Sequence, residues 1–256
     1  MTEPTTVAWR VNSPIQELGG AFMFSRETRE FGESTGVPGF IGPYMKGRCG
    51  VLGDVDADVV TSAVGFFHPG TVREAWESVA MPAAQAAEGY LHACHGFGRR
   101  KLASFDGAER LAELLLAVVR HGDANGAPLF AGWRAMPLAE DARARVLQLV
   151  HTLREFRGGL HFLTIRAAGL APAQAVLIGG SPLLGARDQA LFYGWPESEL
   201  GEVTEERRAR WQEAELLTDR LTQQAFSVLD KAEGEELVEL VAGAHAAAGL
   251  RAKGKG

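Results

Sequence analysis

The chain has 256 residues, of which 46% are hydrophobic and 23% charged, with a net charge of -6. Such a length suits one large domain or two of about 100–130 residues. The acidic balance gives no general attraction to phosphate backbones, so DNA binding would need a local basic patch. Residues 1–10 lack the pattern of a signal peptide, and no apolar run is long enough to span a membrane. With only two cysteines, the chain is expected to be a cytoplasmic protein without a disulfide framework.

In the first half of the chain, helices and one short β-hairpin are predicted. Residues 38–46 fit the second helix of a helix-turn-helix. Short valine-rich runs at 51–52, 59–60 and 63–67 favour a hairpin, because a Gly-Asp turn follows the first of them. A helix follows at 83–94. Another is predicted by apolar side chains at i, i+3, i+4 and i+7, namely Leu111, Leu114, Leu115 and Val118.

The second half begins after a loop rich in Gly and Pro at 123–137, which is the natural boundary between halves. A helix is predicted at 138–157. It has acids in its first turn, and Gly158 and Gly159 are expected to end it. The remaining predicted elements are a short helix at 172–178, a β-hairpin pairing 183–184 with 190–193, and long helices at 205–229 and 235–248.

The two halves align as diverged copies of one unit. Five short segments match in the same order: 36–38 with 169–171, 51–53 with 183–185, 66–69 with 193–196, 73–76 with 208–211, and 111–114 with 237–240. The predicted fold class is therefore mainly α with small β-wings, an internal duplication of a winged-helix-like unit. The repeats are predicted at 1–125 and 138–250. We expect them to form one globular unit, because the linker carries Phe130 and Trp133, which favour burial.

Three motifs carry a resemblance to a known family. Residues 153–161 read Leu-Arg-Glu-Phe-Arg-Gly-Gly-Leu-His, residues 67–69 read Phe-His-Pro, and 218–219 are Thr-Asp. From about residue 20 to 250 the chain resembles a family of actinobacterial proteins described as helix-turn-helix. Where this chain has residues 153–161, that family carries Leu-Arg-Glu-His-Arg-Gly-Asp-Gly-His. The resemblance implies an α-rich, duplicated, winged-helix-like fold. Phe156, Gly159 and Leu160 depart from the pattern, so a role that needs the family's His and Asp there is not expected.

The run from Arg154 to His161 is the richest in candidate groups. Glu155 lies four residues after His151, so the two share a helix face, and the carboxylate could orient the imidazole and raise its pKa. The structural alternative is an ion network in which Arg157 pairs with Glu155 or binds helix-terminal carbonyls. His161 is expected just past the Gly pair, close to a helix start.

Two further candidate positions lie outside that run. His68 precedes Pro69, which favours an extended backbone, and Trp195 occupies the matching position in the second half. An imidazole in one copy and an indole in the other would suit an asymmetric pocket between the halves. An inward-facing Asp219, next to Thr218, would need a partner such as Arg157 or His161.

DNA and metal sites are less well supported by the sequence. The helix predicted at 172–178 offers only Gln174 for reading bases, and its counterpart at 38–46 offers Lys46 and, just beyond it, Arg48. His92 and His95 could form a two-ligand face, but histidines near a helix C-terminus are also favoured by the helix dipole. No metal site is predicted, and the sequence names no cofactor.

Three functions follow from these residues. The favoured one is a small-molecule-binding protein, a metabolite-responsive regulator with its pocket between the repeats. An enzyme of small-molecule metabolism using acid–base chemistry is the first alternative, and a DNA-binding transcription factor is the second. The partner is expected to be a small organic ligand rather than DNA or a membrane, and a homo-oligomer is left open. The predicted catalytic residues are His68, His161, Glu155 and Asp219, and the predicted ligand-binding residues are Trp195, Arg154, Arg157 and Thr218.

Overall fold

A computed structural model describes residues 6–180 and 184–250. Throughout these residues the regular structure is helical, with three short 3₁₀ turns and no strand. The α-helices are α1 (Val7–Ala21), α2 (Arg26–Ser34), α3 (Ile41–Cys49), α4 (Ala57–Val64), α5 (Pro69–Ser78), α6 (Ala83–Lys101), α7 (Ala108–His121), α8 (Pro128–Ala135), α9 (Ala142–Ala167), α10 (Pro172–Gly179), α11 (Ala186–Phe192), α12 (Glu205–Phe226) and α13 (Lys231–Ala247).

Helix α9 is the centre of the molecule. It has 26 residues and packs against α1, α6, α7, α8 and α12. Asp141 starts it by accepting a hydrogen bond from the Ala144 amide at 2.9 Å. The stretch from Val146 to Leu153 is buried without interruption. A helix buried on all sides has no solvated face for its polar residues, so those side chains must find partners inside the protein.

The predicted β-wings are wrong within the described residues. Residues 51–52 lie in a 3₁₀ turn, 59–64 lie in α4, and 190–192 lie in α11, while Leu183 falls outside the described part. Asp56 caps α4 by accepting from the Asp58 amide at 2.8 Å. Ala57, Val60 and Val64 then form a buried stripe at helical spacing. Burial of this stripe overrides the β-propensity of valine.

The Gly pair at 158 and 159 does not end a helix, contrary to the prediction. α9 continues to Ala167, so His161 lies within the helix and not near a helix start. Gly159 serves close packing, because a Cβ there would lie 2.8 Å from the Cβ of Ala127. A Cβ at Gly158 would meet no atom within 4 Å. The pair therefore does not mark a helix end: Gly159 leaves room for Ala127, and Gly158 faces open space.

The other long helices are confirmed, with small changes at their ends. The helix predicted at 83–94 extends to Lys101 as α6, while α12 and α13 cover the segments predicted at 205–229 and 235–248. Phe130 and Trp133 are buried, as expected, but residues 128–135 of the predicted loop form helix α8, contrary to the prediction. No single helix in the described ranges is long and apolar enough to cross a membrane; α9 and α10 pass that test only as a pair, bent by 113°. The structure does not show the predicted duplication, and the repeat boundaries stay a prediction.

Candidate functional site

Two polar clusters lie along α9, one before its Gly pair and one that includes residues on both sides of the pair. The Glu155 cluster consists of Arg48, His151, Arg154 and Glu155. The His161 cluster consists of Arg157, His161, Glu215, Thr218 and Asp219. The two clusters bring together six of the eight predicted site residues, and His68 and Trp195 lie elsewhere.

Arg48 of α3 holds the carboxylate at the centre of the Glu155 cluster. Its Nε donates to Oε1 of Glu155 at 2.9 Å, and its NH2 donates to Oε2 at 2.8 Å. Arg154 adds a third hydrogen bond, from NH1 to Oε1 at 3.2 Å. Burial alone would raise the pKa of Glu155, but Arg48, with help from His151 and Arg154, lowers it to about 2. Glu155 is therefore a buried carboxylate anion bound by two guanidinium groups.

His151 does not behave as the sequence suggests. Its Nδ1 lies 3.9 Å from Oε1 of Glu155, beyond hydrogen-bond distance, and neither ring nitrogen has a hydrogen-bond partner among the described residues. The imidazole packs edge-on against Phe22 and Trp133. Burial lowers its pKa to about 3, against the pull of Glu155, so the predicted rise in pKa is wrong. His151 is a neutral ring within the aromatic core.

The His161 cluster joins α9 to α12. Nδ1 of His161 lies 3.1 Å from Oγ1 of Thr218, and Nε2 lies 3.2 Å from Oε1 of Glu215. Burial lowers the pKa of His161 to about 4, although Glu215 opposes the shift. Thr218 also contacts the hydroxyl of Thr164 at 2.7 Å. Both ring nitrogens of the histidine are therefore engaged by protein groups.

Arg157 completes the same cluster. Its NH2 donates to Oε2 of Glu215 at 2.6 Å and to Oδ1 of Asp219 at 3.4 Å. Asp219 thus has the arginine partner that the sequence suggested. Burial raises the pKa of Asp219, and Arg157 offsets only part of that shift. Glu215 was not predicted as a site residue, although its spacing of three and four residues from Thr218 and Asp219 puts all three on one helix face.

His68 and Trp195 contact each other away from both clusters. Their ring centroids are 5.3 Å apart. His68 caps α5, with Nδ1 accepting from the Gly70 amide at 3.1 Å, and Trp195 donates from Nε1 to the Phe66 carbonyl at 2.8 Å. Within the described part, no hydrogen bond or ion pair joins His68 to the clusters on α9. These contacts join the segment that contains Phe66 and His68 to the segment that contains Trp195.

Two adjoining cavities open beside the Glu155 cluster. The larger, the apolar chamber, has a volume of about 540 Å³. The smaller, the polar chamber, has about 160 Å³ and is lined by Arg48, Glu155, Arg157 and His161. Five residues line both chambers: Gln16, Tyr44, Phe67, Arg154 and Tyr193. Tyr44 and Tyr193 had no direct signal in the sequence, because α3 and the end of α11 meet only in the folded chain.

Aromatic rings form much of the apolar chamber. Phe24 stacks on Phe40 with centroids 5.1 Å apart and planes 10° apart, and Phe40 stacks on Tyr44 at 5.1 Å and 19°. Phe67 and Tyr193 lie together at 4.1 Å where the two chambers meet. The chamber therefore offers flat apolar surfaces on one side and a guanidinium group on the other.

The residues considered for DNA reading are engaged within the protein. Lys46 is buried with its Nζ 4.0 Å from the centre of the Trp76 ring, and Arg48 belongs to the Glu155 cluster. The side chain of Gln174 accepts from the Ala171 amide at the start of α10. His95 contacts Gln148 at 3.0 Å, and the described residues contain no group of three or more His, Cys, Asp or Glu that could hold a metal ion.

Nearly the whole chain matches one known family. No curated protein and no solved structure matches it significantly. A family model described as the helix-turn-helix family matches residues 8–252. This match includes the motifs at 67–69, 153–161 and 218–219 and confirms the resemblance on which the sequence analysis drew. The chain belongs to the helix-turn-helix family.

Proposed function

We propose that this protein binds a small organic molecule in the two adjoining chambers and acts as a metabolite-responsive regulator. The observation that carries the proposal is the apolar chamber, whose volume of about 540 Å³ falls within the range of ligand pockets. Its aromatic lining supplies apolar contact area, and a few polar groups at one end would fix the orientation of a ligand. Membership of a helix-turn-helix family is consistent with a regulatory role.

The origin of the lining residues supports a pocket between the two predicted repeats. Gln16, Tyr44 and Phe67 come from the first predicted repeat, whereas Arg154 and Tyr193 come from the second. A ligand in contact with all five would respond to, and stabilise, one relative arrangement of the helices that carry them. This is the property that a ligand-controlled regulator requires.

An acid–base enzyme is the second candidate function. His161 lines the polar chamber, and its Nε2 lies beside the Glu215 carboxylate. A general base, however, needs a nitrogen that can take a proton from substrate. Both nitrogens of His161 have protein partners, and burial lowers its pKa to about 4. Ligand binding is therefore better supported than catalysis.

Native mass spectrometry of the protein purified from its own host tests the proposal. We expect a bound mass that is lost on denaturation. The variant Ala21→Trp places a large ring in the apolar chamber, which Ala21 lines, and should lose that mass. The matched control, Ala80→Trp, introduces the same ring at an exposed position and should retain it. Absence of a bound mass from the wild type, or its retention by both variants, would contradict the proposal.

A further inference from the structure

Resting on the function proposed above, we infer that the ligand is a planar aromatic acid. Its rings would lie in the apolar chamber, and its anionic group would bind Arg154 where the two chambers meet. The inference combines a surplus cation, the free hydrogen-bonding capacity of that cation, and the shape of the aromatic surfaces.

Within the Glu155 cluster, the described groups leave one cation in excess. Two guanidinium groups, Arg48 and Arg154, share the single carboxylate of Glu155, and Arg48 already occupies both of its oxygens. The third arginine lining the polar chamber, Arg157, is paired with Glu215 and Asp219. An unbalanced charge in a partly buried site favours an anionic partner, because the low local dielectric strengthens their attraction.

Among the described residues that line the apolar chamber, Glu17 is the acid, and it does not pair with Arg154. The two carboxylate oxygens of Glu17 have partners of their own. Oε1 accepts from the Ser13 hydroxyl at 2.9 Å, and Oε2 lies 2.7 Å from Nε2 of His245. Among the described residues, the ion pairs of Glu17 and Arg154 are thus separate. Glu17 therefore forms no ion pair with Arg154.

Arg154 also keeps most of its hydrogen-bonding capacity. Within the described residues, the bond from NH1 to Glu155 is the one hydrogen bond that its side chain donates. A guanidinium group has five N–H donors in a planar fork that matches a carboxylate. The side chain passes over Gly19 and Gly20 of α1, and a Cβ on these glycines would lie 3.4 Å from its Cδ and 3.7 Å from its Nε. The two glycines make room for Arg154 without taking its donors.

The aromatic walls favour a flat ligand over a flexible chain. Phe24, Phe40 and Tyr44 form a nearly parallel stack, and the exposed ring of Phe24 lies at its outer end. Parallel rings present faces on which another aromatic ring can lie in an offset arrangement. Tyr44 at the inner end also lines the polar chamber and accepts from Arg48 at 2.8 Å. A ligand along this stack would bring its polar end to Arg154.

A matched pair of probes distinguishes the contribution of the ligand's charge to binding from that of its shape. We would measure the binding of 2-naphthoate and of 2-naphthamide, its neutral isostere, by isothermal titration calorimetry. We expect the wild type to bind the acid about tenfold more tightly than the amide, in line with a charge-assisted hydrogen bond. Arg154→Met should remove that preference and leave amide binding within about twofold. Arg154→Lys, which keeps the charge but loses the planar fork, should retain part of it.

The controls make the two proposals separable. Arg73→Met removes an exposed arginine that pairs with Asp58 and Glu77 and lines neither chamber, so it should not alter either affinity. Equal affinities for the two probes in the wild type, failure of 2-naphthoate to bind, or equal losses for both in Arg154→Met would overturn the aromatic-acid inference. A bound host molecule that proves neutral would overturn it too, while leaving the proposed small-molecule binding intact.

Discussion

The two polar clusters on α9 differ in how their carboxylates and arginines are matched. In the His161 cluster, both imidazole nitrogens and both carboxylates have partners on the facing helices. In the Glu155 cluster, one carboxylate serves two arginines, and Arg154 makes a single hydrogen bond. The first cluster joins α9 to α12, whereas the second borders both chambers.

This difference distinguishes a structural role from a ligand-binding role better than residue type does. Buried polar groups that pair with one another fix the packing of the elements that carry them. A cation left with free donors beside an apolar cavity is available to a ligand instead. His161, one of the two predicted catalytic histidines, belongs to the first kind, and Arg154 belongs to the second.

The largest effect is expected from Glu155→Ala. Removing this carboxylate leaves the buried guanidinium of Arg48 without its ion partner, which should lower the free energy of unfolding by about 3–5 kcal/mol. Glu215→Ala is the matched change in the other cluster. It should cost about 1–3 kcal/mol, because Arg157 keeps Asp219 as a partner.

Urea denaturation measures both losses. The double variant Arg48→Met, Glu155→Leu should recover much of the loss seen for Glu155→Ala, since replacing both members of a buried pair by apolar groups is often nearly neutral. Equal losses in the free energy of unfolding for Glu155→Ala and Glu215→Ala would contradict the distinction between the clusters.

Acid should destabilise the protein through one histidine from each cluster. The folded-state pKa values of His151 and His161, about 3 and about 4, lie below the usual value of 6.5, so the unfolded chain binds protons first as the pH falls. Stability is therefore complete above pH 6.5 and is lost as the pH falls towards the folded-state values. The slope should be about 1.4 kcal/mol per pH unit for each histidine.

Urea denaturation between pH 6.5 and 5 tests this, because the window lies above the usual titration of carboxyl groups. His161→Asn should remove about half of the slope. His92→Asn, at an exposed position, serves as the matched control. A pH-independent stability in the wild type would refute the burial of both rings in their neutral form.

The sequence predicted well where one local signal dominates. The uninterrupted segment at 205–229 became α12, and the inward-facing Asp219 found Arg157. The sequence-based prediction failed where burial decides between a helix and a strand. The valines at 59–60 are compatible with a strand until their packing is known. The chambers could not be foreseen, since Tyr44, Arg154 and Tyr193 are far apart in sequence and meet only through tertiary packing. The duplication, the cytoplasmic location and the roles of His68 and Trp195 stay predictions.

The smallest effects should come from the Gly pair that lies between Arg157 and His161. Gly158→Ala should stabilise the protein by about 0.5–1 kcal/mol, because alanine favours a helix and the new methyl group meets no atom within 4 Å. Gly159→Ala should cost about 1–3 kcal/mol, because its Cβ would lie 2.8 Å from the Cβ and 3.0 Å from the Cα of Ala127.

The sign of each change can be read from urea denaturation of the two single variants. Neither glycine has a positive φ, so alanine introduces no backbone strain at either position. A helix that ended at the pair would instead need a left-handed glycine, and alanine there would destabilise it. Opposite effects at adjacent positions are therefore the result expected of a continuous α9 that carries both clusters. Destabilisation by Gly158→Ala would mean that α9 is interrupted at the pair, and Arg157 and His161 would then belong to separate helices.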